Sequence, residues 1–280
     1  MEIFETKAEV YEYSLRKRGE GKSVGLVPTM GALHEGHLSL VRAAREECDT
    51  VIVSIFVNPT QFGPDEDLGK YPRAFEADCD ACEALGVDAV FAPAGDEMYL
   101  PDAETYVIQE RLPATLEGAS RPIHFRGVLT VVLKLFNVAA PHVAYFGRKD
   151  YQQSVVVRKM AADLDVPVRI AVLPTVREAD GLAMSSRNKY LDAGERRQAV
   201  CLHEALGLCR TRFDEGERST EKLKAAMRER IDREPSARID YVEIANPDTL
   251  EPADSPEPGD VVLIAVHVGR TRLIDNAILG

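Results

Sequence analysis

The stretch that most constrains this chain is Val27-Pro28-Thr29-Met30-Gly31-Ala32-Leu33-His34-Glu35-Gly36-His37. Before it stands the short β-prone run Ser23-Val24-Gly25-Leu26-Val27. After it Leu38, Leu40, Val41, Ala44 and Cys48 recur at helical spacing. The order is strand, glycine-bearing loop, helix start, the place where an α/β sheet offers backbone N–H groups and a positive helix end to an anion. Gly31 and Gly36 let the main chain approach a ligand with no Cβ in the way. His34 and His37, three apart, share one face of the helix start. Two imidazoles aimed at one spot can donate to phosphate oxygens, carry a proton or bind a metal.

The remaining pattern repeats strand and helix. Asp49–Val57 is a continuous β-branched run of the kind buried on both faces, ending in Asn58-Pro59-Thr60-Gln61-Phe62-Gly63. That ending reads either as a plain Asn-Pro turn or as a binding edge carrying Asn58 and Gln61. Residues 1–21 read as a starter helix and turn, Ala74–Leu85 as a helix, Asp88–Phe91 as a third strand and Ala92–Arg126 as a long irregular excursion. Gly127–Ala139 reads as a buried helix, His142–Phe146 as a fourth strand, Tyr151–Leu164 as a helix and Val168–Leu173 as a fifth strand. Such alternation implies a parallel sheet covered on both faces, with ligands bound outside the carboxyl ends of its strands. Segments 28–37, 58–63, 147–153 and 174–187 would then gather at one edge.

Beyond Asn188 the character changes. Ala193–Phe213 and Thr220–Glu234 are amphipathic, Ile239–Ala245, Val261–Val268 and Arg272–Ile278 read as strands, and Asn246–Asp260 is a proline-bearing loop. The expected fold is α/β, a Rossmann-like doubly wound parallel sheet over residues 1–175 with a smaller C-terminal α+β domain over residues 176–280.

Composition removes other classes. A net charge of -12 opposes general nucleic-acid binding. No apolar run reaches the roughly 18 residues of a membrane span, and Met1-Glu2-Ile3-Phe4-Glu5 carries acid where a signal peptide carries base. A cytoplasmic location is expected. Five cysteines, an odd number, suggest free thiols, and Cys79-Asp80-Ala81-Cys82 reads as a structural pair within a helix. Asp65-Glu66-Asp67 reads as solvated acid at a turn. Met184-Ser185-Ser186-Arg187 offers two hydroxyls and a guanidinium that suit phosphate oxygens, and Lys149 adds a second cation. Gln61 and Gln153, neutral and bifunctional, suit a hydroxylated polar ligand.

Further motifs are Phe56-Val57-Asn58-Pro59, Gln61-Phe62, Tyr71-Pro72-Arg73, Leu116–Pro122, His124-Phe125-Arg126-Gly127-Val128, Phe146-Gly147, Lys149-Asp150, Gln152-Gln153, Asp180–Asn188 and Arg272-Leu273-Ile274-Asp275-Asn276. With the histidine stretch they resemble the pantothenate synthetase (pantoate–β-alanine ligase) family, of the H-x-G-H nucleotidylyl-transferring superfamily, over essentially the full length. Arg148 and Thr60 stand where that family often has an acidic residue or Gln, and Met. The resemblance implies condensation of (R)-pantoate with β-alanine through a pantoyl adenylate, releasing AMP and pyrophosphate, in pantothenate and coenzyme A biosynthesis. It implies that Met30, Gly31, Ala32, Leu33, His34, Glu35, Gly36 and His37 hold ATP, together with Gly147, Arg148, Lys149, Asp150, Val176, Met184, Ser185, Ser186 and Arg187. His37, His34 and Lys149 would be catalytic, with His37 the proton donor. Gln61 and Gln153 would bind pantoate, Gln61 would also reach β-alanine, and Asn58 would order the centre. Mg²⁺ would travel with ATP, the second domain would act as a lid, and the assembly would be a homodimer without nucleic-acid or membrane partners. Two rivals remain: a nucleotidylyltransferase that leaves AMP on its product, and a non-enzymatic nucleotide sensor that kept the fold.

Overall fold

The computed structural model describes residues 1–64 and 66–280. Asp65, in the acidic turn noted above, lies outside them. By compactness the chain forms two units, Met1–Gly147 with Gln152–Pro174, and Arg148–Tyr151 with Thr175–Gly280.

The first unit is an α/β sandwich. Its strands are β1 (Glu2–Phe4), β2 (Val24–Thr29), β3 (Thr50–Ile55), β4 (Ala89–Phe91), β5 (Val143–Gly147) and β6 (Arg169–Leu173), in the order β1-β4-β3-β2-β5-β6. Every pairing is parallel. Side chains alternate between two cores, as the period of a strand requires. Val24, Leu26, Ile52, Ala89, Phe91, Ala144 and Phe146 face one core, and Val27, Val51, Val53, Val90, Val143 and Tyr145 face the other. The first core is closed by α1 (Lys7–Gly19) and by two later helices, those over His124–Ala139 and Tyr151–Asp163; the second by α2 (Glu35–Glu47) and α3 (Phe75–Ala84).

The excursion after β4 contains two short helices, α4 (Gly95–Met98) and α5 (Leu116–Ser120). Helix α6 then runs His124–Ala139, three residues earlier than the apolar pattern starts, and ends at Ala140 in a left-handed cap with φ 40°. Leu129 on α6 is fully buried, a contribution of about 2 kcal/mol. Helix α7 covers Tyr151–Asp163. The N-terminal segment differs from the sequence expectation: Glu2–Phe4 is an edge strand paired with Ala89–Phe91, and only then does α1 begin, capped by Thr6, which accepts from the N–H of Glu9.

From β2 the chain steps outward to β3 and β4, then returns to place β5 on the opposite side of β2. The carboxyl end of β2 is therefore a topological switch point, where open α/β sheets bind ligands. The histidine loop leaves the sheet there.

In the second unit α8 (Ala193–Gln198) and α9 (Cys201–Asp214) replace the single helix expected over 193–213, and α10 (Thr220–Ile231) follows. The antiparallel strands β7 (Ala237–Ala245), β8 (Val261–Val268) and β9 (Thr271–Ile278) are ordered β7-β8-β9. Leu202, Leu206, Leu223 and Met227 of the helices share a core with Val242, Ile264 and Val266 of the strands. No helix among the described residues is long and apolar enough to cross a membrane.

Candidate active site

Helix α2 starts in an unusual way. Its N-cap is His34, extended at φ -139° and ψ 174°, in the place where Ser, Thr, Asp or Asn is usual. The Nδ1 of His34 accepts from the N–H of Gly36 at 3.1 Å, and the Nδ1 of His37 accepts from the N–H of His34 at 3.4 Å. A ring nitrogen that accepts a hydrogen bond carries the lone pair, so each neutral ring bears its proton on Nε2. The two rings lie 4.1 Å apart, centroid to centroid, tilted by 37°. The spacing placed the two imidazoles on one face, as the ring contact has them; the capping bonds add the tautomer.

The loop before them is already satisfied by its own protein. The N–H of Gly31 donates to Thr29 Oγ1 at 3.1 Å, and those of Ala32 and Leu33 donate to the two carboxylate oxygens of Asp78 at 2.8 and 2.7 Å. The N–H groups of His37 and Leu38 both go to the carbonyl of His34. The backbone cradle expected from the sequence is thus largely occupied, and a phosphate would be met by side chains. Gly31 is required here, but by Asp78: its φ is +80°, and a Cβ would lie 3.0 Å from Asp78 Oδ2. A cleft of about 400 Å³ opens beside the loop, with Met30, Gly31, Phe56, Pro59, Arg73 and Asp78 among its walls.

The segment after β3 is a single 3-10 turn, Pro59–Gln61, capped by Asn58. Asn58, 1% exposed, accepts from the Thr60 N–H and hydroxyl and from the Tyr99 hydroxyl. Its Nδ2 donates to Gln61 Oε1 at 3.0 Å and to the Gly127 carbonyl at 3.1 Å. Gln61 is left with its Nε2 against the sulfur of Met30 at 3.3 Å, a weak acceptor. A ligand oxygen would displace that sulfur readily. So the two loops after β2 and β3 meet through Met30 and Gln61, and Asn58-Pro59 forms a capped turn whose side chains also bond across to α6 and Tyr99.

Three residues hold this turn from behind. Gly127 on α6 has no room for a Cβ, which would stand 2.4 Å from the Thr60 carbonyl oxygen and 2.5 Å from the Gln61 nitrogen. His124 Nδ1 donates to the Gln61 carbonyl at 3.0 Å, while its Nε2 accepts from Arg121 at 3.2 Å. Burial, and then the Arg121 charge, lowers the His124 pKa to about 4, so this ring is neutral. Arg121 in turn forks onto Glu66 at 2.9 and 2.5 Å.

On α7 the two glutamines divide their labour. Gln152, buried, accepts from the Glu117 N–H and donates to the carbonyls of Leu112 and Thr115. Gln153 is half-buried, and among the described residues its amide has no protein partner. In the same unit Gly147 ends β5.

The second unit holds the other expected residues. Asn276 donates to the carbonyls of Arg148 and Lys149, both at 2.9 Å, and Lys149 Nζ lies 3.6 Å from Asp150. Val176 and Met184 face each other in a tight hairpin, the Met184 N–H donating to the Val176 carbonyl at 3.0 Å. That hairpin is braced by Arg177, which forks onto the buried Asp275 at 2.6 and 3.0 Å. Ser185 caps the 3-10 turn Ser186–Tyr190 by accepting from the Arg187 N–H at 3.3 Å. Asp78, Arg121, His124 and Asn276 carry no role in the sequence reading; the last three lie within motifs already singled out, and nothing local marks the first.

The cysteines are free. Burial pushes the Cys82 thiol up to about 12, which leaves it a packing group rather than a nucleophile. Among the described residues no three His, Cys, Asp or Glu side chains gather at metal-binding spacing.

A doubly wound parallel sheet with paired imidazoles at its switch point is the frame of an α/β nucleotide-binding enzyme. The chain belongs to the pantoate-beta-alanine ligase family, whose model matches residues 2–278. It is 55% identical over 279 residues to the pantothenate synthetase of Moorella thermoacetica, covering 100% of this chain and 99% of that protein. The pantothenate synthetase of Thermus thermophilus superposes with a TM-score of 0.94 at 45% identity, over 99% of each chain. The pantoate-beta-alanine ligase of Francisella tularensis, solved in complex with beta-gamma ATP and beta-alanine, gives a TM-score of 0.82 at 33% identity, over 99% of this chain and 97% of that one.

Proposed function

We propose that this chain joins pantoate to β-alanine at the expense of ATP. A carboxylate is a poor acyl donor, so it is activated first. A pantoate carboxylate oxygen attacks the α-phosphorus of ATP, the bond to the bridging oxygen breaks, and pyrophosphate leaves. The β-alanine amine then attacks the acyl carbon, loses a proton, and AMP leaves. No covalent bond to the protein is needed, so catalysis rests on positioning and charge stabilisation.

The observation that carries this reading is the ordered histidine pair in a chain matched over its whole length by the family. With Nδ1 engaged, His34 and His37 act through Nε2–H, and His37 is the proton donor to the phosphates. Gln61, its oxygen held by Asn58, donates to pantoate and reaches β-alanine; Gln153 completes the pantoate contacts. Lys149 neutralises phosphate charge, with Gly147, Arg148, Asp150, Val176 and Met184–Arg187 as further ATP contacts. Mg²⁺ enters with ATP as part of the substrate. A homodimer, a lid role for the second unit and a cytoplasmic location complete the proposal.

The test is to incubate the protein with MgATP and (R)-pantoate, add β-alanine, and identify products by mass. Pantothenate and AMP released only after the amine is added support the ligase. AMP retained on the product identifies a nucleotidylyltransferase instead, and no pantoate-dependent ATP–pyrophosphate exchange identifies a sensor.

A further inference from the structure

The carboxylate of Asp78 takes no part in the reaction above, yet it holds the histidine loop from outside by two main-chain hydrogen bonds. Asp78 stands on α3 and is 3% exposed. Its two oxygens each accept one N–H, from Ala32 at 2.8 Å and from Leu33 at 2.7 Å. Consecutive amides converge on one anion only where the chain adopts a nest-like turn. Here Gly31 has φ +80° and Ala32 has φ +51°. The left-handed region is open to glycine but disfavoured for alanine. Ala32 keeps that conformation because the carboxylate ties down the amides on either side of its Cα. The chain then passes directly into His34, whose extended cap geometry sets the start of α2 and with it the place of His37.

We propose that Asp78 is a positioning residue for the His34–His37 pair, acting through the Ala32 and Leu33 amides. The inference rests on the ligase reading. An internal anion fills the nest that a phosphate would otherwise occupy, so the loop has its working shape before ATP arrives, and the triphosphate falls to the imidazoles and other side chains.

Asp78→Asn tests it. The amide retains one acceptor and turns an N–H against the other backbone donor. Pantoate-dependent ATP–pyrophosphate exchange should fall about 100-fold, with the pantoate KM changed less than about twofold and a folded far-ultraviolet spectrum retained. Adding Ala32→Gly to Asp78→Asn should recover about tenfold, because glycine holds the left-handed turn without the tie; a merely structural role in α3 would not respond to that change. Asp78→Glu keeps the charge but displaces it by a methylene, and should also lose exchange if the asparagine variant fails to fold. Wild-type exchange in either variant, or no recovery on adding Ala32→Gly, overturns the inference. Failure of the wild-type protein itself to catalyse exchange would overturn the ligase reading instead, so the two failures are distinguishable.

Discussion

Asn58 Nδ2 donates to Gln61 Oε1 at 3.0 Å, and that one bond decides which end of the Gln61 amide is presented. With its oxygen held, Gln61 offers N–H donors, one of them set against the Met30 sulfur. In Asn58→Asp a carboxylate would face the Gln61 and Gly127 oxygens in place of a donor, and the Gln61 amide would lose its orientation. The expected outcome is a pantoate KM raised tenfold or more in steady-state assays, about 1.4 kcal/mol of binding, with a lowered Tm because Asn58 is buried. Gln61→Glu, which removes the donor itself, should cost at least as much.

The ring geometry of His37 makes a different kind of prediction. Its Nδ1 accepts at the helix start, so if His37 is the proton donor to the phosphates, as proposed, it acts through Nε2–H. His37→Ala should lower kcat by about 100-fold or more while pantoate affinity, measured by calorimetry, changes little. Near-normal turnover would remove His37 from the chemistry.

Which parts of this were legible in the sequence follows from how local each signal is. The β-branched run of β3 announces itself because nearly every residue is buried, and the apolar run of α6 because most of its residues are, with Lys134 and Asn137 breaking it. Strand β1 does not: Glu2–Phe4 is three residues at a sheet edge, held by pairing with Ala89–Phe91 and not by its own pattern. Helix α6 begins early because His124 and Phe125 are buried by tertiary partners. In the site, the histidines, Asn58 and Gln61 are marked by spacing and residue type. Asp78 reaches a loop 46 residues away, His124 a carbonyl 63 away and Asn276 a carbonyl 128 away, so their parts become visible only in three dimensions.

His124 gives a pH signature. Its folded pKa is about 4 against 6.5 for the free side chain, chiefly through burial. The unfolded chain therefore binds the extra proton first, and stability rises with pH between those values. The contribution is complete above about pH 6.5 and lost as pH falls through about 4, on the order of 3 kcal/mol in all. Urea unfolding at pH 7 and pH 5 should show a lower midpoint at pH 5. In His124→Asn that part of the difference should vanish.

Lys149 belongs to the second unit, where Asn276 pins its carbonyl and that of Arg148. If Lys149 neutralises phosphate charge, Lys149→Ala should weaken ATP binding about tenfold by calorimetry, and more steeply at low salt, where charge is least screened. Asn276→Ala, which leaves the ammonium in place but frees the main chain beneath it, should give a smaller loss of the same sign. Unchanged ATP binding in Lys149→Ala would count against the phosphate role.

Gly127 is where α6 presses against the Gln61 turn. A methyl group there would meet backbone, the Thr60 carbonyl oxygen at 2.4 Å and the Gln61 nitrogen at 2.5 Å, and backbone on both sides leaves no flexible side chain to move aside. Gly127→Ala gains intrinsic helix propensity of about 1 kcal/mol, but the overlap costs more, typically about 1–3 kcal/mol or above for a packed contact. The net change should be a lower Tm. Because relief comes only by moving the turn away from α6, Asn58 would also lose its hold on the Gly127 carbonyl and the orientation it gives Gln61. The pantoate KM should therefore rise while ATP affinity holds. A variant with a lowered Tm and an unaltered pantoate KM would show that the helix gives way and the turn does not.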